Sequence, residues 1–329
     1  MKVCIIGATG HTGYVLSGLQ GQGDVRLAAV APGSPGEDMD GLLRSAAAAG
    51  HAPEVFASYT DMLDRVRPEI AAVACHFNDH AAVAAQALKR GIHVFGEKPL
   101  ATTLEDLTRV RSAHAESGAH LAAMLGIRYT APFLTVKQLI QEGIIGEIRL
   151  MQAQKSYKLG NRSELYRKRE TFGGTIPWVG SHAIDWLHWL SGERFLSVYA
   201  AHSKRGNRGH DELEATGLCQ FTLTNEVFGS VSIDYLRPNQ AKGHADDRIR
   251  IVGTQGVLEV RDHRVHVTDE ATGRAWEAPL LPERESFADF LRQARGEGTC
   301  LVTAEESFLV TEACLKARQS ADEGCVVSF

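Results

Sequence analysis

Residues 2–6 form a short apolar run that breaks at a glycine-rich turn, Gly7-Ala8-Thr9-Gly10-His11-Thr12-Gly13, and the chain then takes up helical spacing at Tyr14, Leu16 and Leu19. Further short apolar runs at residues 25–30, 70–74, 92–95 and 119–125 lack polar alternation, the pattern of strands buried on both faces. They are predicted as the second, fourth, fifth and sixth strands. Helical stretches lie between them. One is predicted to start at an N-cap, Thr102 or Thr103, and to reach about Ser117. Another, the Ala-rich stretch 41–50, has no strong apolar stripe and is predicted as a surface helix. Strands alternating with helices predict a parallel sheet joined by right-handed crossovers.

From Tyr129 the pattern changes. A helix over about residues 133–141 ends at Gly143, and a strand over 147–155 leads into a polar loop, 156–171, which is a candidate flexible lid. Gly173 and Gly174 then precede a strongly apolar helix on which His182, Asp185 and Trp189, spaced by three and four, share a face. Paired glycines at that point predict close backbone approach to a neighbour or a ligand. Six stretches (197–201, 213–223, 227–235, 248–252, 257–260 and 264–268) are separated by turn residues such as Thr224-Asn225. They predict a largely antiparallel sheet. Helices over about 285–295 and 304–321 complete the chain.

At 329 residues the chain exceeds what one core usually serves. Two domains are expected: residues 1–124, binding a dinucleotide, and residues 125–329, an α/β domain for substrate binding and oligomerisation whose last helix returns to the first. The 35 Lys and Arg are outweighed by 40 Asp and Glu, for a net charge of −5, and no basic block is present. Nucleic acid is therefore not an expected partner. No apolar run approaches the roughly 18 residues of a membrane helix, and the N-terminus enters the first strand directly, so a cytoplasmic protein is expected. Cys4, Cys75, Cys219, Cys300, Cys314 and Cys325 show no CxxC spacing and are expected to be reduced, buried thiols.

The chemistry concentrates at four places. In the first turn the G-x-x-G-x-x-G spacing fits a dinucleotide site: Gly7 for the tight bend, Gly10 to leave room for a pyrophosphate, Gly13 for helix packing, with phosphate at the helix N-terminus near Thr9, His11 and Thr12. The ribose-binding acid of such sites is expected at the end of the second strand, where Ala31-Pro32-Gly33-Ser34 holds none. No carboxylate is then expected to repel a 2′-phosphate, and no Lys or Arg between Ala31 and Leu43 attracts one, which leans weakly towards NAD over NADP. Beyond the fourth strand lie Cys75, a candidate cofactor contact, and His76 and His80, which either contact the cofactor or stand as solvated histidines at a helix start. Glu97-Lys98-Pro99 follows the fifth strand, so the Lys98 ammonium reaches the carboxyl edge of the sheet, where ligands bind. Taken alone, Glu-Lys-Pro reads sooner as a surface lysine paired with Glu97, and it is the sequence on both sides that overturns this reading. No metal site is expected, since His182, Asp185 and His188 spread around their helix.

The glycine turn, Gly96-Glu97-Lys98-Pro99-Leu100, the segment 173–185, Gly146-Glu147-Ile148, Gly253-Thr254-Gln255-Gly256 and Thr303-Ala304-Glu305 occur in one order. Together they resemble the Gfo/Idh/MocA family of sugar and cyclitol dehydrogenases over nearly the whole chain. The resemblance implies a Rossmann domain, a second α/β domain whose open sheet forms a homodimer or homotetramer, a nicotinamide cofactor and a carbohydrate or polyol substrate. It makes Lys98 and His182 the catalytic candidates. Glu97 joins the cofactor contacts, Arg128, Tyr157 and Trp178 become the substrate contacts, and Asp185 is a substrate or orienting partner. Where the family commonly has Asp, four residues before the histidine, this chain has Trp178, which either stacks on a sugar ring or fills the pocket. The family's Thr-Pro-Asn-like turn is here Cys75-His76-Phe77. Two other classes stay open: a hydrolase or lyase using transient oxidation, which would form product without net NADH, and a non-catalytic dinucleotide or sugar sensor.

Overall fold

The computed structural model describes residues 1–329. The chain begins β1 (Lys2–Ile6), α1 (Thr12–Gly18), β2 (Arg26–Ala31), α2 (Asp40–Ala48), β3 (Glu54–Val55), α3 (Tyr59–Val66), β4 (Ile70–Val73), α4 (His80–Leu88), β5 (His93–Gly96), α5 (Leu104–Ser117) and β6 (Leu121–Ala123). It continues α6 (Ala131–Gln141), β7 (Ile148–Tyr157), the single turn α7 (Arg169–Phe172), α8 (Ser181–Ser191), β8 (Phe195–Ser203), β9 (Thr216–Leu223), β10 (Phe228–Asp234), β11 (Ala245–Gly253), β12 (Gly256–Arg261), β13 (Arg264–Asp269) and β14 (Ala275–Glu277). It ends with α9 (Ser286–Ala294), α10 (Ala304–Glu323) and β15 (Val327–Ser328). These elements form two compact units. The first comprises Met1–Gly126, Glu170–Gly173 and Glu285–Thr311, and the second Ile127–Arg169, Gly174–Arg284 and Glu312–Phe329.

The first unit holds a six-stranded sheet in the order β3-β2-β1-β4-β5-β6, every pair parallel. All four residues of β4 are buried, as a strand covered on both faces requires. The order reverses between β1 and β4, so the carboxyl ends of these strands border the ligand crevice of an open α/β sheet. β3 is two exposed residues, too short to leave a periodic trace. Thr103 caps α5: its Oγ1 accepts the Asp106 N–H at 3.1 Å, and Gly118 ends the helix at φ 65°. β5 is fixed from far along the chain, because Phe95 packs against Phe287 and Phe290 of α9 at ring distances of 5.3 and 5.4 Å.

The second unit holds a nine-stranded sheet in the order β14-β13-β12-β11-β7-β10-β9-β8-β15, antiparallel throughout except for the β7/β10 pair. One face is covered by α6 and α8. Trp186 of α8 is fully buried against Phe133 of α6 at 4.3 Å, and a Cβ at Gly229 would stand 2.6 Å from Leu187 Cδ1, so glycine in β10 seats α8 on the sheet. The other face exposes Leu150, Tyr199, Leu218 and Phe228 by 39–52%. Phe228 lies in register between Thr222 and Leu150, and Leu150 pairs onward with Val252.

All six cysteines are free; five are buried and Cys325 is exposed, against the expectation of buried thiols throughout. No helix is long and apolar enough to cross a membrane.

Candidate active site

The glycine turn closes on the ends of its neighbouring strands. Gly7 N–H donates to Ala31 O at 2.9 Å, and the N–H groups of Thr9 and Gly10 both donate to Ala74 O, at 2.8 and 3.1 Å. Gly7 has φ 90°, and a Cβ there would stand 2.3 Å from Cys75 Cα, so only glycine allows the bend. The other two glycines have different reasons from those expected. A Cβ at Gly10 would meet Glu97 Oε2 at 2.5 Å, so a protein carboxylate by itself already requires glycine there. Gly13 is exposed with nothing near its missing Cβ. The glycine that packs α1 is Gly18, whose Cβ would stand 2.7 Å from Phe287 Cβ.

Two carboxylates flank this turn. Glu97 is fully buried. Its Oε2 accepts the His11 N–H at 2.5 Å and lies 2.7 Å from His11 Nδ1, while its Oε1 accepts the Lys98 N–H at 2.9 Å. Burial alone would push this acid up, but the charge and hydrogen bonds of His11, with Lys98 beside it, outweigh burial and hold it near 2. It is an anion that orders the turn. Glu37 is the second, and it corrects the expectation of no carboxylate near the ribose position. Its Oε1 accepts the Ala8 N–H at 2.8 Å and the Thr9 hydroxyl at 2.6 Å, and its Oε2 accepts the N–H groups of Gly33 and Ser34 at 3.1 and 3.3 Å. Ser34-Pro35-Gly36-Glu37 is an S-x-x-E capping-box pattern reaching back to the Ser34 N–H, a signal by which Glu37 was detectable.

Lys98 follows β5 at the carboxyl edge of the sheet and is 98% buried, which excludes the surface ion-pair alternative. The Lys98–Pro99 peptide is cis. His80, expected either to be solvated or to touch the cofactor, is buried. Its Nδ1 lies 2.8 Å from Pro99 O and its Nε2 3.0 Å from Cys75 O, so the ring sits between the loop after β4 and the segment carrying Lys98, and whichever nitrogen carries the proton donates to one of these carbonyls. Burial, the leading effect, pushes its pKa down. Cys75 is also fully buried, its thiol pushed up chiefly by burial, and it packs beneath Gly7 and Gly33 instead of facing a ligand. His76 stays half-buried, its N–H donating to Ser34 Oγ at 3.0 Å, and Pro32 is half-buried at the end of β2.

The second unit positions His182 at the head of α8. A Cβ at Gly173, the first of the paired glycines, would meet Thr102 Cγ2 at 2.8 Å, which is the predicted close approach; a π-turn, Ile176–Gly180, then leads into the helix, and a Cβ at Gly180 would meet Ile233 Cδ1 at 2.5 Å. His182 and Trp178 are 3% and 7% exposed. Arg128, expected to contact substrate, and Asp185, expected to be a substrate or orienting partner, form a buried ion pair. Arg128 Nη2 donates to Asp185 Oδ1 at 2.5 Å and Nε to Oδ2 at 2.9 Å, with side-chain exposures of 0% and 1%. The Arg128 guanidinium also lies 5.1 Å over the Trp189 ring. The shared helix face was therefore read correctly, but two of its three residues serve Arg128 and fix α8. The expected lid is pinned at its end: Arg167 Nη1 donates to Gly209 O at 2.7 Å, and Arg169 pairs with Asp322 and with buried Glu214, whose Oε2 accepts the Thr175 N–H at 2.9 Å just before the π-turn. Tyr157 ends β7 on the covered face, 4.9 Å from the His244 ring and 6.3 Å from Tyr235.

A glycine turn at the switch point of a 3-2-1-4-5-6 parallel sheet, with the Glu37 carboxylate tying it to the residues that follow β2, fits a dinucleotide-binding fold. Residues 1–124 match the NAD-binding Rossmann-fold domain of the GFO/IDH/MocA oxidoreductases, and residues 133–259 match the GFO/IDH/MocA C-terminal domain. A Thermotoga maritima protein described only as an oxidoreductase is 50% identical, with 100% of both chains covered and a TM-score of 0.96. Inositol 2-dehydrogenase of Ralstonia nicotianae is 24% identical over 298 residues, 86% of this chain and 85% of its own length. The aldose-aldose oxidoreductase of Caulobacter crescentus shares the fold at a TM-score of 0.84 with 19% identity, over 100% of this chain and 99% of that one. This chain belongs to the GFO/IDH/MocA oxidoreductase family.

Proposed function

We propose that this protein is a cytoplasmic, NAD-dependent dehydrogenase or reductase acting at a hydroxyl or carbonyl carbon of a sugar, cyclitol or related polyol. The observation that carries the reading is a buried lysine, Lys98, placed at the carboxyl edge of the parallel sheet directly after the glutamate that orders the dinucleotide turn. A desolvated ammonium is costly to keep and suits a role in proton handling or carbonyl polarisation. Relatives named for inositol and aldose chemistry support the substrate class. When bound, the nicotinamide supplies the hydride acceptor. Gly7–Gly13 and Glu37 would hold the dinucleotide, and Lys98 and His182 are the groups proposed to take the hydroxyl proton or, in the reverse direction, to return it. Trp178, in place of the family's Asp, is proposed to shape the substrate pocket.

Glu37 turns the weak lean towards NAD into a specific expectation, because a carboxylate at the ribose end repels a 2′-phosphate. A panel of sugars, inositols and glycosides assayed with each cofactor should yield reduced nicotinamide with at least one polyol. NAD should be favoured over NADP by more than about tenfold, roughly 1.4 kcal/mol, and Glu37→Gln should shrink that preference. No turnover with any polyol would overturn the activity; a tenfold preference for NADP would overturn the cofactor assignment.

The uncovered sheet face is proposed to bind a second copy of the chain. Its Phe228–Leu150–Val252 row is a continuous apolar strip of the kind that finds a partner. Light scattering at micromolar concentration should report a dimer or tetramer, and a monomer would remove the idea.

A further inference from the structure

In the second unit, the covered face of the sheet ends in a group of cations that its carboxylates do not balance. Lys155, fully buried on β7, is paired with Asp247 at 2.6 Å, and Arg237 is paired with Asp246 at 3.2 Å. Lys158 and Arg162 add two further positive charges with no carboxylate within ion-pair distance. Their joint effect is visible at His244, which is pushed down first by burial and then by Arg162, Lys158, Lys155 and Arg237 together.

Arg162 is held in place. Its guanidinium lies 4.8 Å from the Tyr235 ring and 5.3 Å from the Tyr166 ring, and Nη2 donates to Lys158 O at 3.2 Å. Its Nε is buried without a hydrogen-bond partner, and so is the hydroxyl of Tyr235, a residue only 1% exposed. Burial pushes the Tyr235 hydroxyl well above the ordinary tyrosine range, so it stays a neutral donor. Buried donors are nearly always satisfied, and two left open beside uncompensated cations are the chemistry of an oxyanion receptor. The surrounding tyrosine rings supply flat apolar walls, and Tyr166 leads to Trp178, at 6.4 Å, on the π-turn before His182.

We infer that the substrate carries an oxyanion, a carboxylate or a phosphate ester on the polyol, received by Arg162 and the Tyr235 hydroxyl. This rests on the polyol oxidoreductase reading and names the substrate class within it. The test is calorimetric titration of the full chain, with and without NADH, using D-glucuronate, D-glucose 6-phosphate and D-glucose as probes, alongside nicotinamide absorbance with the same sugars and NAD. At least one anionic sugar should bind about tenfold or more tightly than glucose, and Arg162→Gln should bring that ratio close to one. Arg162→Lys, which keeps the charge but loses the planar fork, should lower the ratio at least threefold, and it decides the matter alone if Arg162→Gln does not fold. Which anion wins separates carboxylate from phosphate. Equal binding of all three sugars, or a preference unchanged in the Arg162 variants, overturns the oxyanion site. Anion discrimination without hydride transfer to any sugar would instead overturn the dehydrogenase reading and leave the site standing.

Discussion

Replacing Lys98 or His182 by alanine is expected to lower kcat by at least about a hundredfold while the cofactor still binds, because positioned proton transfer contributes roughly 10² to 10⁴. The two variants are expected to differ from a pocket variant in kind. On its proposed role in the pocket, Trp178 would contact bound substrate and transition state alike, so Trp178→Ala should chiefly raise KM. The kcat/KM profile should also lose its acidic limb in His182→Ala, if His182 must be neutral to accept the proton. Steady-state kinetics over a pH series, with cofactor affinity measured separately, checks all three. Near-normal turnover without Lys98 and His182 would leave neither as the proton carrier and would move the base elsewhere in the chain.

Breaking the Arg128–Asp185 pair is the other large effect. Both side chains are buried, so removing one partner takes away the opposite charge that the other faces in the interior, and Arg128→Met or Asp185→Asn should each cost about 3–5 kcal/mol. That is a large share of the roughly 5–15 kcal/mol available to a folded protein. The double variant Arg128→Met/Asp185→Leu removes both charges and should recover most of the loss. Denaturant midpoints of the three variants provide the measurement. Losses below about 1 kcal/mol for the single variants would show that the pair behaves like an exposed one. Because Asp185 lies one turn after His182 on α8, the single variants should also lose activity in proportion to the misplacement of that helix.

Much of the architecture was legible along the chain. Unbroken apolar runs marked the buried parallel strands, and the Thr-to-Gly bracket marked α5. Period-two alternation marked the antiparallel strands, and the spacing of His182, Asp185 and Trp189 marked one helix face. The short strands β3, β14 and β15, which lie in no longer apolar run, left no trace because periodicity needs several positions to appear. The candidate site was legible in its residue types and less so in its wiring. Lys98 lies at a strand end as its sequence context predicts, whereas Glu97, His80, Arg128 and Asp185 had their roles decided by partners that local spacing cannot name.

What the chain determined by itself was therefore everything that depends on neighbours two to four residues away: element type, buried face, caps and the tight bend at Gly7. What only tertiary structure decided was which distant groups meet. Glu97 reaches His11 across 86 residues and makes Gly10 necessary, Arg128 reaches Asp185 across 57, and Phe287 makes Gly18 necessary and steadies the strand before Lys98. The physical reason is that a backbone period fixes the direction of a side chain but not its partner. A buried charge or donor finds that partner only when packing brings separate elements within hydrogen-bond reach.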